Sequence, residues 1–568
     1  MNILNNIQSN KTNQYWIFFS VLVCLSLFMM FCNGSSSEYS GYDFYFHYRR
    51  LYALMDALQH GDYISYIDYS NVDGYGYLIK AFYSDVILLP FAFIGLFTSA
   101  YFAYDVMIFT MTVLCGVFMY NMVKTVYKSR YAAAVSALLY AFAVYRLYDI
   151  YQRGALGEAL SFTFLPIVFL GLYYIIKGDY KKWYILTISY SLLIYSHVIA
   201  SVLMFVTLLI ILLVYNKTLR KEPKRIAYLF LAGFVTVIIV SYYIFPVLEQ
   251  LLNSSFYLDA RRPGGGAGYG KMGFDFILWG FVSGIAYPEK SLWAGIGMIL
   301  TLVVFFRIFI KGNKTDTLRS VDIGVIIGIC FIIAISRIFP WGRFPFNLLA
   351  FIQYPWRLYE FVSFFFAVAG GYYLALLFIK YRQRIIVFAF IIVATMITTY
   401  ISSENFKYLH SLKVLQIYGG DSTEEPSFFN RYHTIGGEYF PAKLPAIEYV
   451  HERGEKIDNK NRDTYISNFK KEYNKTILDV NVNKSDTLVL PLLYYYGYNV
   501  TLNGENIPFG QSDYGLLAVP VDRSGQIIAY YAGTNIQKGS FYISLMGVLA
   551  LIVFIFRSKR RDRYEANN

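Results

Sequence analysis

Apolar runs close to 20 residues long recur along this chain, separated by short loops in which Lys and Arg gather. A helix of that length crosses a hydrocarbon core of about 30 Å. In lipid a spanning backbone must satisfy its own polar groups, so such runs become helices. Twelve can be laid out, at about 15–32, 101–123, 131–145, 159–176, 183–196, 198–215, 226–245, 292–310, 320–336, 359–379, 385–402 and 541–556. Val86 to Phe97 is too short to span, contains Pro90, and reads as an interfacial or re-entrant helix. The first run lacks a small-x-small cleavage site and reads as a retained anchor.

The charges give the threading. With the N-terminus inside, the inner loops carry Lys124, Lys128 and Arg130; Lys177, Lys181 and Lys182; Lys217 to Arg225; Lys311, Lys314 and Arg319; Lys380, Arg382 and Arg384; and Arg557 to Arg561. Each is short and basic, and one helix more or fewer would turn half of them outward. Both termini are then cytoplasmic, with the long loops rich in Asp, Glu and Tyr outside.

Composition agrees. Of 568 residues 57% are hydrophobic and 15% charged, more apolar surface than a soluble chain can bury. The net charge of +13 sits in loops between apolar runs, which argues against a nucleic-acid partner and for a bilayer. Cys24, Cys32, Cys115 and Cys330 lie in or beside apolar runs, so neither a disulfide framework nor a zinc site is indicated. The 20% aromatic share suits membrane interfaces and sugar stacking, and an AT-rich genome would produce it too.

Three regions follow. Residues 1–402 form a transmembrane domain with a large first outer loop at 33–100. Residues 403–539 form an extracytoplasmic β-rich domain suited to binding or scaffolding. It alternates apolar and polar residues at Thr476–Val482, Leu488–Tyr496, Tyr498–Leu502 and Leu516–Val521, and Asn503-Gly504 is a hairpin signal. Residues 540–568 hold the last helix and a basic tail.

The densest polar cluster follows the first span: Gly41-Tyr42-Asp43-Phe44-Tyr45-Phe46-His47-Tyr48-Arg49-Arg50. Asp43 fits either a general base at the membrane lip or a helix cap. Asp85 precedes the interfacial helix, and Arg153 and Glu158 stand between the third and fourth runs, as a buried ion pair or a phosphate contact. His197 and Arg357 mark the outer ends of the fifth and tenth runs, and Arg261 and Arg262 lie in a long outer loop. Ionisable groups so placed tend to face a bundle interior or cavity. Arg offers a bidentate fork to phosphate. Gly265 to Lys271 fits a nucleotide loop formally, but Met272 replaces the required Ser/Thr and no strand–helix context surrounds it.

The Asp43 cluster resembles the first outer loop of GT-C glycosyltransferases, which use polyprenyl-phosphate sugars as donors. Phe82-Tyr83-Ser84-Asp85, Arg153-Gly154-Ala155-Leu156-Gly157-Glu158, Ser196-His197 and Gln353-Tyr354-Pro355-Trp356-Arg357-Leu358 are similar in order and type to motifs of bacterial YfhO-like membrane proteins, as is Leu488 to Gly504. That group overlaps one labelled 6-pyruvoyl-tetrahydropterin synthase-related, whose pterin chemistry is not implied. The resemblance implies a mainly α, GT-C-like bundle of about twelve transmembrane helices with a small outer β-rich domain. It implies transfer of a sugar from an undecaprenyl-phosphate-type donor to a cell-envelope polysaccharide or teichoic-acid-type acceptor, with Asp43 as catalytic base. His47, Asp85, Arg153, Glu158, His197, Arg261, Arg262 and Arg357 would bind substrate. A donor-synthesising enzyme and a flippase would have to supply the donor. Asp43, Asp85 and Glu158 leave room for a divalent Mg or Mn ion without requiring one. The competing readings are a lipid-linked-sugar transporter or flippase and a non-catalytic envelope polymer-assembly protein.

Overall fold

A computed structural model describes residues 11–32, 43–64, 66–257, 270–284, 295–311, 315–417, 437–446, 448–459 and 464–567. The chain divides into two compact units. The first takes residues 1–44, 104–234 and 264–420, and the second takes 45–103, 235–263 and 421–568.

Among the described residues nine helices, not twelve, are long and apolar enough to cross a membrane. Three of the expected spans fall short. The 183–196 run forms a 13-residue helix, Tyr184–Ser196, and the 198–215 run a 17-residue helix, Val198–Val214. In the described part of the 292–310 run, a helix at Gly297–Phe305 gives way to a 3-10 turn. At 1.5 Å per residue, a 13-residue helix reaches about 20 Å. The break between the first two has a visible cause: His197 adopts an extended backbone, and its Nδ1 accepts the Ala200 N–H at 3.3 Å, capping the second helix. Val86 to Phe97 does hold a short helix, Leu89–Phe97, with Pro90 at its start.

In the first unit, α1 (Lys11–Phe31), α2 (Arg130–Ala141), α3 (Leu156–Ile176), α4 (Asp316–Ile335), α5 (Tyr359–Leu377) and α6 (Tyr381–Ile417) form the helical body. The last extends 15 residues beyond the expected domain boundary at 402. Ser129 and Thr315 cap α2 and α4 through their hydroxyls. The centre of the packing is α5, which lies against both α2 and α4 and buries every residue from Tyr359 to Ala375. Gly371 allows it to approach α2 closely: a Cβ there would stand 2.5 Å from the Ala132 carbonyl oxygen.

The second unit contains two antiparallel sheets. One has the order β1 (Asp458–Asn459), β4 (Asp486–Leu493), β8 (Leu516–Val521), β7 (Gly510–Gln511); the other runs β2 (Thr464–Glu472), β3 (Lys475–Val482), β9 (Gly525–Tyr531), β5 (Tyr498–Leu502), β6 (Glu505–Asn506). Each stretch expected to be a strand contains one. Asn503 and Gly504 make the β5–β6 hairpin with φ of 49° and 84°, as a two-residue primed turn requires. Alternation along β3 and β5 places Leu478, Val480, Val500 and Leu502 in the core. That core also takes Tyr75, Tyr77 and Leu78 from the first long loop, all fully buried. The β-rich fold is therefore completed by residues some 400 positions away in sequence.

Candidate functional site

The site in the first unit grows from an irregular turn between α2 and α3. After α2 the chain makes a short helix, Val144–Tyr148, then a π-helical turn, Asp149–Arg153, and closes it with Gly154 in the left-handed region at φ 65°. Widened turns of this kind recur at functional sites. Here the turn brings Asp149 and Arg153 together, and α3 then presents Glu158 to Arg153.

The contacts are specific. Arg153 Nη1 donates to Asp149 Oδ1 at 2.9 Å and to Glu158 Oε2 at 2.7 Å. Arg357, from the 3-10 turn that leads into α5, has its Nε 3.4 Å from the same Glu158 oxygen. That separation gives charge pairing without a hydrogen bond. Arg357 Nη1 donates to the Ile352 carbonyl at 2.9 Å, and its guanidinium lies over the Tyr354 ring at 5.5 Å. Tyr145 OH donates to the other Glu158 oxygen, and Ser161 Oγ donates to Glu360 Oε1 at 2.5 Å. Asp149 is fully buried, while Glu158 and Glu360 retain 2% and 1% of their exposure. Asp149 and Glu158 thus meet Arg153, with Arg357 beside Glu158, and charges this deep persist only when so paired; Glu360 is held by the Ser161 hydroxyl. The sequence left Arg153 and Glu158 open between ion pair and phosphate contact. They form a buried ion pair.

Asp43 sits on this network. Its backbone N–H donates to the Arg153 carbonyl oxygen at 2.7 Å. Gly154 makes the approach feasible, because a Cβ there would stand 2.6 Å from the Phe44 nitrogen. Unlike the network, Asp43 is exposed to solvent. Even so, the surrounding protein withdraws enough hydration to raise its carboxyl pKa above the usual value, against the lowering pull of Arg153 and Arg357; Glu158 adds to the rise. A carboxylate reachable from solvent, with a raised proton affinity, is suited to accept a proton. His197 joins the same neighbourhood through its charge interaction with Glu158, and its ring carbon lies 3.2 Å from where a Gly157 Cβ would stand.

His47 and Asp85, also expected at the site, belong to the second unit, where both meet Arg50. His47 Nδ1 is 3.1 Å from Arg50 Nη1, and Asp85 pairs with Arg50 and Lys80, each at 3.5 Å. Arg50 also donates to the Ser84 carbonyl and stacks over Tyr83 at 4.8 Å. Arg261 and Arg262 lie outside the described residues. Among the described residues no three His, Cys, Asp or Glu side chains converge to hold a metal ion. Glu158, offered as a ligand for Mg or Mn, has both oxygens engaged by Arg153 and Tyr145.

The sequence reading missed Asp149, Tyr145 and Glu360. The first and last had a signal: Asp149 is four residues from Arg153, and Glu360 three from Arg357, at the ends of apolar runs. Tyr145 had none, being one of 56 tyrosines.

No family model matches the chain. A protein of Lactococcus lactis subsp. cremoris (strain MG1363), described as an uncharacterized protein, is 20% identical over 611 residues, covering 96% of this chain and 97% of its own. Among solved structures, the cryo-EM structure of the arabinofuranosyltransferase AftD from Mycobacteria aligns with 67% of this chain at 13% identity and a TM-score of 0.42. The chain spans 26% of that protein's length. A likeness so loose carries no argument about activity.

Proposed function

We propose that this chain is a membrane glycosyltransferase that moves a sugar from a polyprenyl-phosphate donor to a cell-envelope glycan or teichoic-acid-type acceptor outside the cell. The observation that carries the reading is Asp43: a solvent-reachable carboxylate, pinned by its own backbone to a buried Arg–carboxylate network. The motif resemblance around Asp43, Arg153 and Arg357 supplies the donor class, and a cytoplasmic N-terminus ahead of the first span would put Asp43 outside.

In the proposed reaction the Asp43 carboxylate takes the proton from an acceptor hydroxyl. The acceptor oxygen forms a bond to the anomeric carbon as the bond from that carbon to the lipid phosphate breaks, its electron pair leaving on the phosphate. One displacement inverts the anomeric centre. The phosphate is a good leaving group, so positioning does much of the work. Arg153 and Arg357 already share Glu158, which makes them a rigid frame with little positive charge to spare.

A transporter or flippase reading draws on one observation: Asp149, Glu158 and Glu360 are buried within candidate spans. The pairing of Asp149 and Glu158 with Arg153, and the position of all three at span ends, favours a fixed structural network over an ion path. Turnover of a radiolabelled polyprenyl-phosphate sugar by purified protein separates the readings. Wild type should release polyprenyl phosphate, and Asp43→Asn should do so more slowly by about 100-fold or more. If neither consumes donor across a panel of sugars, the transferase reading fails.

A further inference from the structure

Within the second unit a cavity of about 260 Å³ opens where β9 hands over to the final helix, α7 (Asn535–Asn567). Its aromatic walls include Tyr66 and Tyr69 from the first long loop, Tyr531 at the end of β9, and Tyr542 from α7; Asp62 and Asn474 add short polar groups. We infer that this cavity is a saccharide-binding subsite for one or two neutral sugar rings.

Preorganisation is the first argument. Tyr531 OH donates to the Tyr496 carbonyl at 3.1 Å and accepts from Gln537 Nε2 at 2.8 Å. Gln537 Oε1 in turn accepts the Thr534 N–H at 2.9 Å. The Tyr531 hydroxyl is thereby committed to the fold, leaving its ring as a fixed wall. Tyr542, by contrast, is 63% exposed, a large ring offered at the rim.

Chemistry is the second. Sugars pair an apolar C–H face with a girdle of hydroxyls, and they bind where rings meet short carboxylates and amides. The cavity falls at the small end of ligand pockets and sets short polar groups among its rings. Among the described lining residues the one cation, Lys538, is matched in charge by Asp62, so a phosphate headgroup would find no net positive charge. Use of this subsite to hold an acceptor glycan rests on the transferase reading; saccharide binding does not.

The test uses the full chain in phosphatidylglycerol nanodiscs, free of glycoside detergents. Saturation-transfer NMR would be run with methyl glucoside, methyl rhamnoside, methyl N-acetylglucosaminide and glycerol 3-phosphate at up to tens of millimolar. At least one glycoside should show transfer, and Tyr542→Ala and Asn474→Ala should each weaken it by about fivefold. Asp43→Asn should bind as well as wild type, which separates this outcome from any failure of turnover. Transfer to no glycoside overturns the inference, as does transfer that both variants leave unchanged. Preferential binding of glycerol 3-phosphate, lost in Lys538→Gln, would overturn it in favour of a headgroup site.

Discussion

The backbone N–H of Asp43 donates to the carbonyl oxygen of Arg153 at 2.7 Å, across 110 positions of sequence. The same Arg153 holds Asp149 and Glu158 through its side chain. One residue therefore fixes the exposed acid through its main chain and the buried network through its guanidinium.

Asp43→Asn should lower donor turnover by about 100-fold or more, the usual range for loss of a general base. Because Asp43 is exposed, the variant should insert and purify like wild type. Turnover within a few-fold of wild type would remove Asp43 from the reaction.

The pH dependence has a definite sign. The Asp43 pKa is raised in the folded protein, so its protonated form is favoured by the fold and its ionised form disfavoured. As a base it must be ionised, so kcat/KM should fall on acidification with a midpoint above the ordinary aspartate value. The stability gained from protonation is present below the unfolded pKa and is lost as pH rises through the folded one. Asp43→Asn should thus be no less thermostable than wild type at neutral pH, and its residual activity should lack the acid limb.

Gly154→Ala forces a side chain into the left-handed region at a cost of about 1–2 kcal/mol and sets its Cβ against the Phe44 nitrogen. It should displace Asp43, reducing kcat at least tenfold while leaving donor binding nearly unchanged. Gly154→Asn, whose side chain tolerates this backbone better, should keep the same clash and recover little. Equal activity in both variants and wild type would show that this turn does not position Asp43.

Glu158→Gln removes the carboxylate shared by Arg153 and Arg357 and leaves two buried guanidinium groups with too few partners. Breaking a buried pair in this way costs ~3–5 kcal/mol. The variant should show a lower melting temperature in detergent and reduced yield, and loss of activity would follow loss of fold.

In the second unit, Arg453 donates to Asp458 Oδ2 at 3.0 Å, the Tyr75 hydroxyl at 3.0 Å and the Val489 carbonyl at 2.7 Å. Arg453→Ala should destabilise the β-rich fold by about 1–3 kcal/mol by orphaning these acceptors. Limited proteolysis should then cut within residues 437–531 sooner than in wild type. Arg453 and Lys456 also hold the Asp458 carboxyl below its usual range. That part of the stability is present above the unfolded value and is lost as pH falls through the folded one.

The membrane-length helices and the strands were legible because each is written locally. An apolar run of sufficient length forms a helix in lipid, and period-two alternation makes a half-buried strand. Among the described residues nine of the twelve runs reached spanning length. The exceptions turned on features that apolarity does not report, such as the His197 break. The charged residues at run ends were legible as well, because lipid makes them costly and therefore conspicuous.

What those charges do was decided by tertiary structure. Arg153 and Arg357 converge on one Glu158 oxygen although two hundred residues separate them, and that pairing changes them from open phosphate contacts into a buried frame. Asp85, of the same chemical type as Asp43, is tied instead to Arg50 and Lys80. Sequence order supplied Asp43 and the motifs around it. A left-handed glycine, a widened turn and a carbonyl 2.7 Å away put that carboxylate at the surface of an ion-pair network. Electrostatic partners are set by distance in space, and local pattern does not encode it.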